Sequence, residues 1–322
     1  METYNINEQP TNKHVSADGR FNRLPSLYND HFGDGNGEIP VEPNRYIIYW
    51  SPVCPWAHRN IIVRSLLGLD DVVGVRTLDP IRPNVGRVDW AFTLDKNNID
   101  PVLGIYYLSE IYYQTNPSHT GGFTVPCVVD IKSRKVVNNN YYDLTLEWET
   151  RWTKYHKKGA LDLYPIELRE EIDKLNRWLF DNINNGVYKA GFSRSQEAYA
   201  DAVENVFKAF DVLEERLSHQ RYLFGDRITD SDVRLYVTLA RFDIAYFNAF
   251  RVNKKMLRDY DNLWRYARDL YQTKGFGDTT DFDAIKKHYH LCCAANPKKI
   301  LPLGPDLSVW NIPSGRDKQK YR

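Results

Sequence analysis

The chain has 322 residues, 42% of them hydrophobic and 14% aromatic, which is material for two hydrophobic cores rather than one. Its 43 basic and 42 acidic residues leave a formal net charge of +1, which argues against charge-driven binding to nucleic acid or to an anionic membrane. No stretch approaches the roughly 20 apolar residues of a bilayer span, the N-terminus lacks a signal core, and four cysteines without paired spacings make no disulfide framework, so a cytoplasmic protein in a reducing compartment is expected.

Residues 1–43, rich in Asn, Gly, Pro and Asp, read as an irregular arm whose most apolar part, GRFNRLPSLYNDHF (19–32), is expected to lie on the body. A first domain is predicted over 44–152. RYIIYWS (45–51) reads as a buried strand, and WAHRNIIVRSLLGL (56–69) carries apolar residues at helical spacing with Gly68 near its end. DVVGVRTLDPI (71–81) is a second strand, and so short a crossover implies parallel strands. Residues 82–122 interrupt the pattern, with an amphipathic helix in PVLGIYYLSEIYYQ; an insertion this long is usually functional or covers something. FTVPCVVD and KVVNNN then form a hairpin, and DLTLEWETRW (143–152) a helix. The order β-α-β, helix, β-β-α is thioredoxin-like. An all-helical domain is predicted over 165–295, where Thr229 and Asp232 form a T-x-x-D capping box with Ile228 and Val233 as its staple, and 296–322 is a tail.

The first strand runs into SPVCPWAH (51–58), which puts Cys54 just before a helix that starts on proline. Proline suits the first helical turn, where its missing N–H has no partner in any case. The unpaired N–H groups of that turn and the positive end of the helix dipole favour a thiolate, which is the nucleophilic form. A lone cysteine is most often a small buried apolar residue, but this placement argues for chemistry. The position of a second cysteine in a C-x-x-C pair holds Ala57. With no resolving thiol beside it, Cys54 forms a mixed disulfide that an external thiol clears, so a low-molecular-weight thiol is expected as cosubstrate. Val125 and Pro126, in the TVP at the start of the third strand, stand where a thioredoxin-like domain places a cis-proline facing its cysteine.

CPWAHR, the insertion with IDPVLG, TVP, NRWLFDNINNGVYKAGF, LFGDRITDSDVRLYVTLARFD and YQTKGFGDTTDFDAIKKHY occur in one order between about Gly19 and Pro305. Together they resemble the glutathionyl-hydroquinone reductases, the Xi class of cytosolic glutathione transferases. The resemblance implies a thioredoxin-like N-terminal domain with an all-α glutathione-transferase C-terminal domain, a homodimer, and cleavage of glutathionyl-hydroquinones through Cys54. It implies that Trp90 packs on the thiol tripeptide, that Val125 with Pro126 offers it backbone, and that Tyr188 and Tyr289 line the acceptor pocket. Two features depart from the family pattern. An arginine usually precedes the VTVP, where this chain has Gly122, and the Glu and Ser that hold the γ-glutamyl end are replaced by Asn140 and Tyr141. The donor is therefore glutathione or another small thiol, with a quinone-type substrate as partner.

Two other readings stay open at this point: an Omega-like deglutathionylase or dehydroascorbate reductase, and a non-catalytic binding module that has lost its thiol site. HYHLCC (288–293) gathers soft ligands, but adjacent cysteines splay apart and lack zinc-site spacing, so no metal is expected. Cys127 is expected to pack in the sheet.

Overall fold

The computed structural model describes residues 14–83, 85–293, 296–319 and 321. They divide into two compact units: Pro25–Leu161, and residues 14–24 with those from 162 onward. The arm is thus shared. Its 14–24 part belongs to the second unit, where Phe21 is buried with its ring 5.5 Å from that of Phe192. Its later part belongs to the first, where Phe32 is fully buried with ring centroids 5.0 Å from Tyr46, 5.1 Å from Trp148 and 5.3 Å from Trp152.

Among the described residues the first unit has a four-stranded sheet in the order β2-β1-β3-β4, from β1 (Tyr46–Trp50), β2 (Gly74–Thr77), β3 (Cys127–Asp130) and β4 (Lys135–Asn138). β1 runs parallel to β2 and antiparallel to β3, and β4 closes the edge as a hairpin with β3. α1 (Pro55–Leu67) makes the crossover and ends on Gly68 at φ 70°, a left-handed conformation that glycine adopts without steric cost. α3 (Leu144–Thr150) packs on α1, where Trp148 Nε1 donates to Asn60 Oδ1 at 2.9 Å.

Among the predicted elements that are shorter in the structure, three show the reason. The second strand begins only at Gly74, because Val72 and Val73 turn back to donate to Leu69 O. The insertion helix is confined to α2 (Leu108–Thr115), because Asp100 closes the preceding residues into a turn: its buried carboxylate accepts from Leu103 N at 2.7 Å and its carbonyl from Gly104 N. Glu110 then caps α2 by accepting from Tyr106 N and Tyr107 N, both at 2.8 Å. The third strand joins the ladder only at Cys127, after Pro126, which has no N–H to give.

The second unit is helical: α4 (Arg169–Leu179), α5 (Gly186–Gly191), α6 (Gln196–His219), α7 (Asp230–Arg241), α8 (Phe247–Ala249), α9 (Asp261–Tyr271) and α10 (Phe282–Lys287). The capping box at the start of α7 is present, with Thr229 N and Oγ1 both donating to Asp232 Oδ2. Asp232 also accepts from Leu223 N and Tyr266 Oη, so this buried carboxylate ties a loop and α9 to the helix start. Among the described residues no helix is long and apolar enough to cross a membrane.

Candidate active site

Cys54 is the N-cap of α1, in extended backbone at φ −83° and ψ 116°, with Pro55 at the first helical position. Strand β1 ends four residues earlier, so the strand-to-helix turn sets Cys54 just past the C-terminal end of β1, at the N-terminus of α1, whose first-turn N–H groups have no partner within the helix. The Val125–Pro126 peptide bond is cis. Cys54 Sγ lies 3.3 Å from Val125 O, within reach for S–H donation. The nucleophile candidate and the backbone candidate therefore meet.

Trp90 is buried in the same unit; its Nε1 donates to Phe123 O at 3.0 Å, two residues before Val125, and the Arg82 guanidinium lies 4.5 Å from its ring centre. Asn140 is engaged locally. Its Oδ1 accepts from Tyr142 N at 2.9 Å and Asp143 N at 3.0 Å, and its Nδ2 donates to Asp143 Oδ2 at 3.1 Å, so the amide caps the turn that leads into α3. Tyr141 turns its ring edge-on to Trp56 at 5.6 Å.

In the second unit, Tyr188 and Tyr289 share a hydrogen bond of 2.6 Å between their hydroxyls. Tyr246, which sequence reasoning missed, completes a triangle, at 3.3 Å from Tyr289 Oη and 3.5 Å from Tyr188 Oη. Burial pushes the Tyr289 phenol well above its ordinary range, so it stays protonated and able to donate. Each tyrosine sits on or just after a π-helical turn: Phe180–Asn184 before Tyr188, Phe242–Tyr246, and His288–Cys292. Such turns insert one residue into a helix and re-aim the side chains that follow, and they recur at functional sites. Arg23 of the arm lies over the Tyr188 ring at 4.6 Å and donates from Nε to Asn185 Oδ1 at 2.8 Å, a contact that no local sequence signal announces.

The remaining candidates do other work. Cys127 is fully buried in β3, where burial pushes its thiol up to about 12. His290 is buried and donates from Nε2 to Ile244 O at 3.0 Å. Among the described residues no group of three or more His, Cys, Asp or Glu is arranged to hold a metal.

Comparison with known proteins gives the family of the chain. Residues 196–269 match the family model described as glutathione S-transferase, C-terminal domain. The glutathionyl-hydroquinone reductase YqjG of Escherichia coli (strain K12) is 37% identical over 94% of each chain. Its glutathione-bound structure superposes with a TM-score of 0.80, covering 88% of this chain and 92% of that one. A glutathione transferase from Gordonia bronchialis is 46% identical, with TM-score 0.84 over 88% of both chains. The glutathione S-transferase Xi of Phanerochaete chrysosporium is 36% identical, with TM-score 0.85 over 93% of this chain and 95% of the other.

Proposed function

The chain belongs to the glutathionyl-hydroquinone reductases, the Xi class of glutathione transferases, and we propose that it reductively cleaves thiol conjugates of hydroquinones with Cys54 as the nucleophile. The observation that carries this reading is the thiol at the N-terminus of α1, 3.3 Å from the Val125 carbonyl beside a cis-proline. Cys54 thiolate attacks the sulfur of the conjugate. The S–S bond forms as the C–S bond breaks, its electron pair goes to the ring carbon, and that carbon takes a proton to give the hydroquinone. A second thiol, as thiolate, then displaces Cys54 and leaves as the disulfide. The net reaction consumes one conjugate and one thiol and yields hydroquinone and disulfide.

The docking residues in this reading are Trp90, Val125 and Pro126 for the thiol, with Asn140 and Tyr141 at the end of that subsite. The hydroxyls of Tyr188 and Tyr289 hydrogen-bond the hydroquinone oxygens. In keeping with the family, the protein works as a homodimer, and its cysteines, none of them in a disulfide, suit the cytoplasm.

Incubation with glutathione disulfide followed by mass spectrometry tests the covalent step. One adduct per chain, on Cys54, is expected. An adduct mainly on Cys127, Cys292 or Cys293 would identify a different nucleophile. The tyrosines give a separate check: Tyr188→Phe or Tyr289→Phe is expected to lower activity toward conjugates about tenfold while iodoacetamide alkylation of Cys54 keeps its rate. Parallel loss of both would point to disturbed folding instead.

A further inference from the structure

The segment that presents Val125 lacks the support a strand normally has. Among the described residues Phe123, Thr124 and Val125 take no part in the sheet ladder, which starts at Cys127, and none of them makes a backbone-to-backbone hydrogen bond. Their direction is set by side chains. Trp90 Nε1 donates to Phe123 O at 3.0 Å, and Tyr112 Oη donates to Thr124 O at 2.7 Å. Two successive carbonyls before Val125 are thus held by two donors, and both donors come from the 82–122 insertion.

The insertion is built to keep these donors together. The fully buried Asp89 accepts from Trp90 N at 2.8 Å and Ser109 N at 3.2 Å, and pairs with Arg87 at 3.0 Å. Trp90 O accepts from Leu108 N at 3.0 Å, so the residue that carries the indole also caps the start of α2. Tyr112 stands one turn further along that helix, fully buried against His119 at 5.0 Å, Tyr28 at 5.6 Å and Phe123 at 5.9 Å. Asn139 Nδ2 donates at 3.2 Å both to Tyr112 Oη and to Thr124 Oγ1, which locks the phenol's lone pair and its target into one network.

We propose that the insertion is a brace for the thiol-docking segment, and that Tyr112 is a positioning residue which, together with Trp90, fixes the Val125 backbone by holding the two carbonyls that precede it. The inference rests on the reading above, in which Val125 receives the thiol. Without these bonds the Phe123 and Thr124 peptide planes turn more freely, so a docking thiol must order Val125 at its own expense. Burial holds the Tyr112 phenol well above its ordinary range, so the donor persists across working pH. On this account Trp90 contributes through its N–H as well as through its ring face.

The test is Tyr112→Phe, which removes one oxygen and keeps the buried ring. With glutathione as the thiol, the half-saturating concentration is expected to rise at least about fivefold, with kcat at saturation within about twofold of the parent. The rate of Cys54 alkylation by iodoacetamide should be unchanged. Trp90→Phe, which keeps an aromatic face but deletes the N–H, should raise the half-saturating concentration in the same sense. Unchanged half-saturation in both variants overturns the proposal, and so does a joint loss of kcat, alkylation and thermal stability. Failure of the covalent reading would appear elsewhere, as turnover by Cys54→Ala, so the two failures are distinguishable.

Discussion

Cys54→Ala is expected to lose reductase turnover by at least about a thousandfold, with Cys54→Ser nearly as inactive. The expectation follows from what the other cysteines lack. Cys127 is sealed in β3 with its thiol pushed up to about 12 by burial, so at neutral pH it supplies almost no thiolate. Cys292 ends a π-helical turn and Cys293 follows it, which is the carboxyl end of a helical segment, where the backbone dipole disfavours an anion. Among the described residues Cys54 alone of the four occupies a helix N-terminus. Serine keeps the shape but supplies an oxygen that neither ionises near neutrality nor forms a disulfide. Steady-state assays with a glutathionyl-hydroquinone, with circular dichroism to verify folding, decide the matter. Full activity in either folded variant would remove the covalent mechanism.

The legibility of this molecule in its sequence follows the range of the interactions involved. The β1-α1-β2 unit was readable because strand and helix periodicities are local, and so was the T-x-x-D box at Thr229, whose partners are three residues apart. Cys54 was readable because strand end, cysteine and proline are adjacent. The tyrosine triangle was only partly so: with 22 tyrosines in the chain, nothing local separates Tyr246 from the rest, and its meeting with Tyr188 and Tyr289 depends on π-helical turns that carry no sequence signature. The work of Tyr112 was hidden for a similar reason. Its periodic place on an amphipathic helix explains its burial, whereas its hydroxyl's partner, Thr124 O, is fixed by how the insertion folds back. The predicted helix over 101–114 was also too long, since its apolar spacing outweighed the turn formed by Asp100 and Gly104.

Glutathione is expected to support turnover with a raised KM, and a thiol with less dependence on charged contacts at the γ-glutamyl end is expected to do better. The resemblance assigns that end of the tripeptide to a Glu–Ser pair, and adds an arginine before the VTVP for a further charged contact; here those places hold Asn140, Tyr141 and Gly122. The structure sharpens the consequence. Both ends of the Asn140 amide are engaged in the turn before α3, and Tyr141 sets its ring against Trp56, so neither offers an ammonium group the carboxylate it would pair with. A charge-assisted contact of this kind contributes about 1.5–3 kcal/mol, and loss of even one weakens glutathione roughly tenfold or more. Two restorations test the point, and they differ in structural cost. Asn140→Glu with Tyr141→Ser supplies the acid and hydroxyl but gives up a cap that stabilises the turn by about 1 kcal/mol. Gly122→Arg carries no such loss: a Cβ there meets only Thr124 Cγ2, at an ordinary 3.6 Å. Each is expected to improve kcat/KM for glutathione by more than about tenfold, equivalent to about 1.4 kcal/mol, with little change for cysteamine, which has no γ-glutamyl group. Tight glutathione binding by the parent protein, with no gain from either restoration, would mean that other side chains already hold the γ-glutamyl end.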